Sequence, residues 1–255
     1  MIINRIASAI KRQDLSQIII EIFIVVIGIF LGLQVTDWNE EREERVQEET
    51  ILNRMHTEVY DGLGYRDALS QNMIFGELQI TIRDRLADIA KFFKEGTNRD
   101  HFDYRHCQAI VLSHVNNNTT ITLPTMIELL SSGQISLIKS EEIKTALSGY
   151  TIASETMTTQ TDVLSSLSLV LARKYPNLIE LDNVTPIGIG NEFNGRHKCD
   201  YDQMAQSVAF KNDFYDNKVK QEVFVNIYLN QRQKFENIHT VLDAELSITH
   251  SEQNP

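Results

Sequence analysis

An apolar run near the N-terminus constrains this chain more than any other feature. Between Ile18 and Val35 the only charged residue is Glu21, and the run is apolar on all faces of a helix. A bilayer core of about 30 Å is crossed by roughly 20 apolar helical residues. We therefore predict a transmembrane helix over residues 17–37. The alternative is a buried core helix of a soluble protein, which more often shows a single apolar stripe.

The same run also fits the apolar part of a cleaved signal peptide, because basic residues precede it. However, the stretch Leu33–Trp38 reads LQVTDW and offers no small-x-small cleavage site. We therefore expect the segment to be retained as an anchor.

The charges on the two sides of the run predict its orientation. Residues 1–16 hold three basic residues against one acidic residue, whereas Asp37 and several glutamates follow the run. The positive-inside rule then places the N-terminus in the cytoplasm and the main domain outside it. Trp38 lies where an interfacial aromatic residue belongs. The net charge of the chain is −11, which argues against a nucleic-acid partner.

Apolar periodicity divides the chain into segments. In residues 1–16, four isoleucines share one face, which predicts a basic amphipathic segment on the inner leaflet; a frayed terminus is the alternative. Residues 38–250 are predicted to form an acidic helical domain outside the cytoplasm, and residues 251–255 a loose tail.

Few helix breakers occur, with 4 Pro and 11 Gly in 255 residues, and this favours long helices. We predict an all-α fold: the transmembrane helix continues into a stalk ending near Gly62, followed by an up-and-down bundle of about four long helices. Further helices are predicted at about 65–94, 102–115, 125–132, 140–175 and 201–246. A kink or frayed stretch is predicted within residues 151–161, which are rich in Thr and Ser, and residues 178–199 are predicted to be irregular.

Two features of the apolar run are candidates for function. Glu21 is an ionisable group inside the predicted membrane span, which is by default a functional hypothesis; the alternative is that it reaches the cytoplasmic interface. Gly28 and Gly32 form a G-x-x-x-G spacing that allows two membrane helices to pack closely. A homo-oligomer through this face is a hypothesis.

The two cysteines, Cys107 and Cys199, both fall in the domain that we place in an oxidising compartment. We prefer a disulfide that ties the irregular segment to the third helix. The alternative is a zinc site that combines Cys107 and Cys199 with the neighbouring His106 and His197.

Other candidate chemistry is incomplete. His101, Asp103 and His106 invite a metal or acid–base site, but no metalloprotease motif completes it, and a solvated turn is the preferred interpretation. No phosphate-binding loop or nucleophile elbow is present in the sequence. We accordingly assign no catalytic residue, no cofactor and no metal ligand.

Two stretches, Glu21–Ile29 with Trp38-Asn39-Glu40 behind it and Ile127–Gly133, resemble a widespread bacterial family of single-pass membrane proteins known only as a domain of unknown function. The resemblance implies an N-terminal anchor and a helical remainder, and it implies no reaction. We expect the protein in the bacterial inner membrane. The chain departs from the family pattern at Gly32, where alanine is expected, and at Thr36-Asp37, where asparagines are expected.

These features together predict a non-enzymatic envelope module that binds a partner, senses a ligand or acts as a scaffold. Its predicted partners are the membrane, an unknown envelope protein and further copies of itself. One alternative is an oligomeric membrane effector or channel that uses Glu21 and the Gly28/Gly32 face. Another is a membrane-tethered hydrolase with an unrecognised site around residues 101–107 and 197–200.

Overall fold

The computed structural model describes residues 15–64, 71–181 and 197–250, and these are mostly helical, as the sequence predicts. The chain divides into two compact units, Met1–Ile51 and Leu52–Pro255. The predicted amphipathic segment, except for its last two residues, and the predicted loose tail lie outside the described residues.

The first helix, α1 (Leu15–Gly62), contains 48 residues without a break. Within the described residues it is the one helix long and apolar enough to cross a membrane, with an 18-residue window of mean hydropathy 1.7 that is wholly exposed. Beyond that window, pairs such as Arg45 with Glu41, 3.3 Å apart at i,i+4 spacing, support the helix. The predicted continuation of the apolar helix to Gly62 is confirmed.

The second unit combines the end of α1 with seven further helices among the described residues. They are α2 (Gln71–Glu95), α3 (Tyr104–Leu112), α4 (Pro124–Ser132), α5 (Glu141–Leu167), α6 (Leu171–Lys174), α7 (Tyr201–Gln206) and α8 (Val208–Leu246). A short 3-10 helix, Gln134–Leu137, follows α4. Strands β1 (Ile179–Glu180) and β2 (Lys198–Cys199) pair antiparallel, with Ile179 opposite Cys199. This small hairpin was not predicted from the sequence.

The core lies along α8, which packs against α5 and α2. Phe210 and Phe214 join α2 and α3 residues in one apolar cluster, and Phe224 and Tyr228 join α5 residues in another. These large side chains are at most 1% exposed, so their burial is a main source of stability for this unit. Contact between α2 and α8 is close, because a Cβ built on Gly76 would lie 2.0 Å from the Tyr228 ring.

Helix α5 begins as predicted, with the Ser140 hydroxyl accepting a hydrogen bond from the Ile143 amide. Helix α5 runs unbroken through residues 151–161, so the predicted frayed stretch is wrong, whereas the alternative of a kink stays a prediction. Threonine hydroxyls there donate to the carbonyls four residues back, for example Thr156 to Ile152 at 2.8 Å, so they are satisfied without leaving the helix. The helix ends at Leu167, before the predicted end, because the buried Asn217 side chain binds both backbone groups of Leu169.

The predicted helix over residues 201–246 is two helices. Ser207 ends α7 and caps α8, its hydroxyl accepting from the Phe210 amide. Gly133, at φ 72°, ends α4 in the left-handed conformation that glycine tolerates, as predicted.

Candidate metal centre

Four ligand-type side chains meet where the end of α1 lies beside the end of α8 in the second unit. His56 comes from α1, whereas His239 and Asp243 come from α8 at i,i+4 spacing, which puts them on one helix face. Each of these residues and His250 offers one ligand atom, and all four atoms lie within 4.8 Å of one another.

His250 reaches the cluster because the chain turns back after α8. Ser247 caps the helix at φ 54°, in the left-handed region, and the Ile248 amide donates to the Asp243 carbonyl at 2.9 Å. This turn places His250 Nε2 3.0 Å from Asp243 Oδ1. A left-handed serine costs of order 1 kcal/mol, so contacts such as this one are needed to hold the turn.

The Asp243 carboxylate is the centre of the cluster. His56 Nε2 lies 2.8 Å from its Oδ1, and His239 Nδ1 lies 3.3 Å from its Oδ2. The three imidazole rings stack on one another with centroids 4.9 to 5.5 Å apart. The Tyr60 ring, one turn after His56, stacks on His250 at 5.1 Å. The cluster is thus enclosed on one side by aromatic rings.

The cluster is largely shielded from solvent. The side chains of His56 and His239 are each 12% exposed, that of Asp243 21%, and that of His250 35%. Burial lowers the pKa of His239 below its ordinary 6.5; the neighbouring His56 and His250 lower it further, and Asp243 opposes them. A lowered pKa favours the neutral imidazole, which is the form that binds a metal ion.

Three imidazoles and one carboxylate form a ligand set suited to zinc and other divalent transition metals. Without an ion, the ring nitrogens of His56 and His250 lie at hydrogen-bond distance from the carboxylate. A bound ion would be held by these nitrogens and by the carboxylate in place of the contacts between them.

The predicted disulfide is present. Cys107 in α3 and Cys199 in β2 are bonded, with Cα atoms 5.6 Å apart. The bond ties the β1–β2 hairpin to the third helix, as expected. Since neither sulfur is a thiolate, the alternative zinc site that used both cysteines has no support.

The predicted group of His101, Asp103 and His106 does come together. His106 Nδ1 lies 2.9 Å from Asp103 Oδ1 and 3.1 Å from the Asp103 amide nitrogen, in a capping box at the start of α3. Asp88 of α2, which was not considered from the sequence, lies 3.8 Å from His106 Nε2. His197, from the same hydrolase hypothesis, is buried.

The membrane-segment candidates lie in α1. Gly28 and Gly32 have open space where a Cβ would stand, and Trp38 is exposed. The side chain of Glu21 lies outside the described residues. The roles predicted for these residues stay predictions.

The four-residue cluster was missed in the sequence because 187 positions separate His56 from Asp243. One signal was available, the His239-x-x-x-Asp243 spacing, which puts two ligand types on one face of a predicted helix. Nothing in the sequence pairs that face with His56.

Comparison of the chain with protein-family models, with curated proteins and with solved structures gives no match. The family resemblance in the two short stretches therefore stays a prediction, and function has to be inferred from this chain's own residues.

Proposed function

We propose that this chain is a single-pass membrane protein that binds a divalent transition metal through a helical domain outside the cytoplasm. One observation carries the proposal: three imidazoles converge on the carboxylate of Asp243 in a shielded cluster. This departs from the assignment of no metal ligand made from the sequence.

The geometry of the donors supports an ion of zinc's size. In a tetrahedral site with bonds of about 2.1 Å, the donor atoms are roughly 3.4 Å apart. The four donors here lie within 4.8 Å of one another, so small side-chain movements would bring them to that geometry. Lowering of the His239 pKa by burial further reduces competition from protons.

A set of four protein ligands favours a non-enzymatic role. Catalytic zinc sites keep a position open for water or substrate, whereas structural and sensing sites are closed. His56, His239, Asp243 and His250 together complete a closed set. We infer a binding or sensing module of the envelope rather than a hydrolase.

Placement in the bacterial inner membrane is supported by three features. The first is the exposed apolar part of α1, and the second is the excess of basic residues before it. The third is the disulfide, which is typical of an oxidising compartment. On this topology the N-terminus is cytoplasmic and the metal centre is periplasmic.

The test is zinc binding by the full-length protein, purified in detergent and stripped with EDTA. Isothermal titration with Zn²⁺, backed by competition with a chromophoric chelator, gives the affinity. We expect Asp243→Asn and His250→Ala each to weaken binding at this centre by at least about 100-fold, because each removes one ligand from the ion.

The matched control is Asp216→Asn, on the same helix. Asp216 pairs with Lys220 at 2.5 Å and takes no part in the cluster. Its zinc affinity should equal that of the wild type. A wild-type protein that shows no saturable binding, or an Asp243→Asn variant that binds as tightly as the wild type, would refute the metal centre.

A further inference from the structure

A second group of ligand-type side chains lies at the junction of α2 and α3. Asp88 comes from α2, His101 from the turn between the helices, and His106 from the first turn of α3. Their three ligand atoms lie within 4.8 Å of one another. None of them belongs to the centre at Asp243.

His106 is held in place on several sides. Its ring stacks on Phe102 with centroids 4.4 Å apart and planes at 15°. The next residue, Cys107, is fixed by the disulfide to β2. The His106 side chain is 8% exposed, so the ring has little freedom to turn away from Asp88.

The gap between His106 and Asp88 is wider than a hydrogen bond. His106 Nε2 and Asp88 Oδ2 are 3.8 Å apart, whereas N–H···O bonds fall between about 2.7 and 3.2 Å. Two ligands of one transition-metal ion are separated by roughly 3 to 3.5 Å. The distance between His106 Nε2 and Asp88 Oδ2 is therefore close to the distance between two ligand atoms of one metal ion.

Asp103 lies at the ring nitrogen of His106 that does not face Asp88. A carboxylate in this position commonly orients a metal-binding histidine. Its Oδ1 lies 2.9 Å from His106 Nδ1, on the opposite side of the ring from Asp88. A carboxylate at this nitrogen holds the ring with Nε2 turned toward Asp88.

The third ligand is accessible. His101 is exposed, and its ring meets the His106 ring nearly edge-on, with centroids 5.8 Å apart. The Asp88 side chain is 54% exposed. An ion held by these three groups would have water at its remaining positions.

Two positive charges lie near the site. Arg85 and Arg105 are close enough to Asp103 to affect or pair with it, and their charge would weaken the binding of a cation.

We infer that Asp88, His101 and His106 form a second, open site for a divalent transition metal, oriented by Asp103 and independent of the closed centre. Because the site has three protein ligands, it binds more weakly and exchanges its ion faster than the centre at Asp243.

The experiment is the stoichiometry of Zn²⁺ binding to the full-length, EDTA-stripped protein. We expect two equivalents in the wild type, the second weaker than the first. Asp88→Asn and His101→Ala should each lose the weaker equivalent and keep the tighter one. Both changed side chains are exposed, and circular dichroism checks that the helices are retained.

The matched control is Asp84→Asn, one turn earlier on α2, where Asp84 pairs with Arg83 at 2.7 Å. This variant should keep both equivalents. Retention of the weaker equivalent in Asp88→Asn and His101→Ala would overturn the second site. A wild type with one equivalent that Asp243→Asn removes would also overturn it, while the closed centre would stand. If the wild type binds one equivalent and only His101→Ala and Asp88→Asn remove it, the second site would stand and the closed centre at Asp243 would be overturned.

Discussion

The surroundings of His239 give its side chain a pH response that does not depend on any ion. Burial lowers its pKa below 6.5, and the imidazoles of His56 and His250 act in the same direction. The unfolded chain therefore takes up a proton at a higher pH than the folded chain does. By linkage, the contribution of this residue to stability falls as the pH drops below 6.5.

We expect the metal-free protein to lose stability between pH 7.5 and pH 5, and His239→Gln to reduce that loss. The measurement is the free energy of unfolding in urea, for the EDTA-treated full-length protein in detergent, across this pH range. His101→Gln, which changes an exposed histidine, serves as the control and should follow the wild type. If His239→Gln followed the wild-type curve in full, the inferred direction of the His239 pKa shift would be wrong.

At the scale of elements, the contact between α2 and α8 depends on a residue without a side chain. A Cβ on Gly76 would stand 2.0 Å from Cζ of Tyr228, which is 1% exposed and has little room to move. In contrast, a Cβ on Gly149 of α5 would meet Cδ of Lys234 at 3.7 Å, an ordinary contact.

We expect Gly76→Ala to destabilise the domain by about 1–3 kcal/mol, because the helices must separate or the Tyr228 ring must shift. Gly149→Ala, also inside a helix, should be neutral or stabilising by up to about 1 kcal/mol, because alanine favours helix. Urea unfolding of both full-length variants measures the difference. Equal stabilities would mean that the packing of α2 on α8 is looser than described.

Helices that carry their own start and stop signals were predictable from the sequence. Ser140 before two glutamates and Gly133 after an apolar stretch are local signals, and both act as predicted. The end of α5 at Leu167 was not predictable, because it depends on Asn217, 48 positions away in sequence from the backbone it binds. The helix break at Ser207 could have been recognised, since serine is a preferred N-cap.

The candidate sites also divide into one that local sequence indicates and one that depends on residues far apart in the sequence. His101, Asp103 and His106 lie close together in sequence and were singled out, whereas Asp88 was not considered. The centre at Asp243 was missed altogether. Its assembly requires the end of α1 to lie beside the end of α8, and periodicity within single helices carries no information about which helices are neighbours.

For the whole molecule, the disulfide provides a test of topology. We expect a membrane-impermeant thiol reagent to label Cys107 and Cys199 in intact cells only after reduction, because both lie in the domain that we place outside the cytoplasm. Cys107 is 2% exposed, whereas Cys199 is partly exposed, so labelling of Cys199 after reduction is the primary readout. A Cys107→Ser/Cys199→Ser variant is the blank. Labelling that requires broken cells would reverse the proposed orientation.

The disulfide also changes how far the chain must search to build the metal centre. Its bond spans 92 positions, all within the 187 positions between His56 and Asp243. The covalent shortcut leaves a path of roughly 95 positions, and closing that shorter loop costs about 0.6 kcal/mol less entropy. The oxidised chain should bring His56 to Asp243 about threefold more readily than the reduced chain. In the most favourable order of assembly, disulfide formation would therefore come before metal loading at the proposed centre.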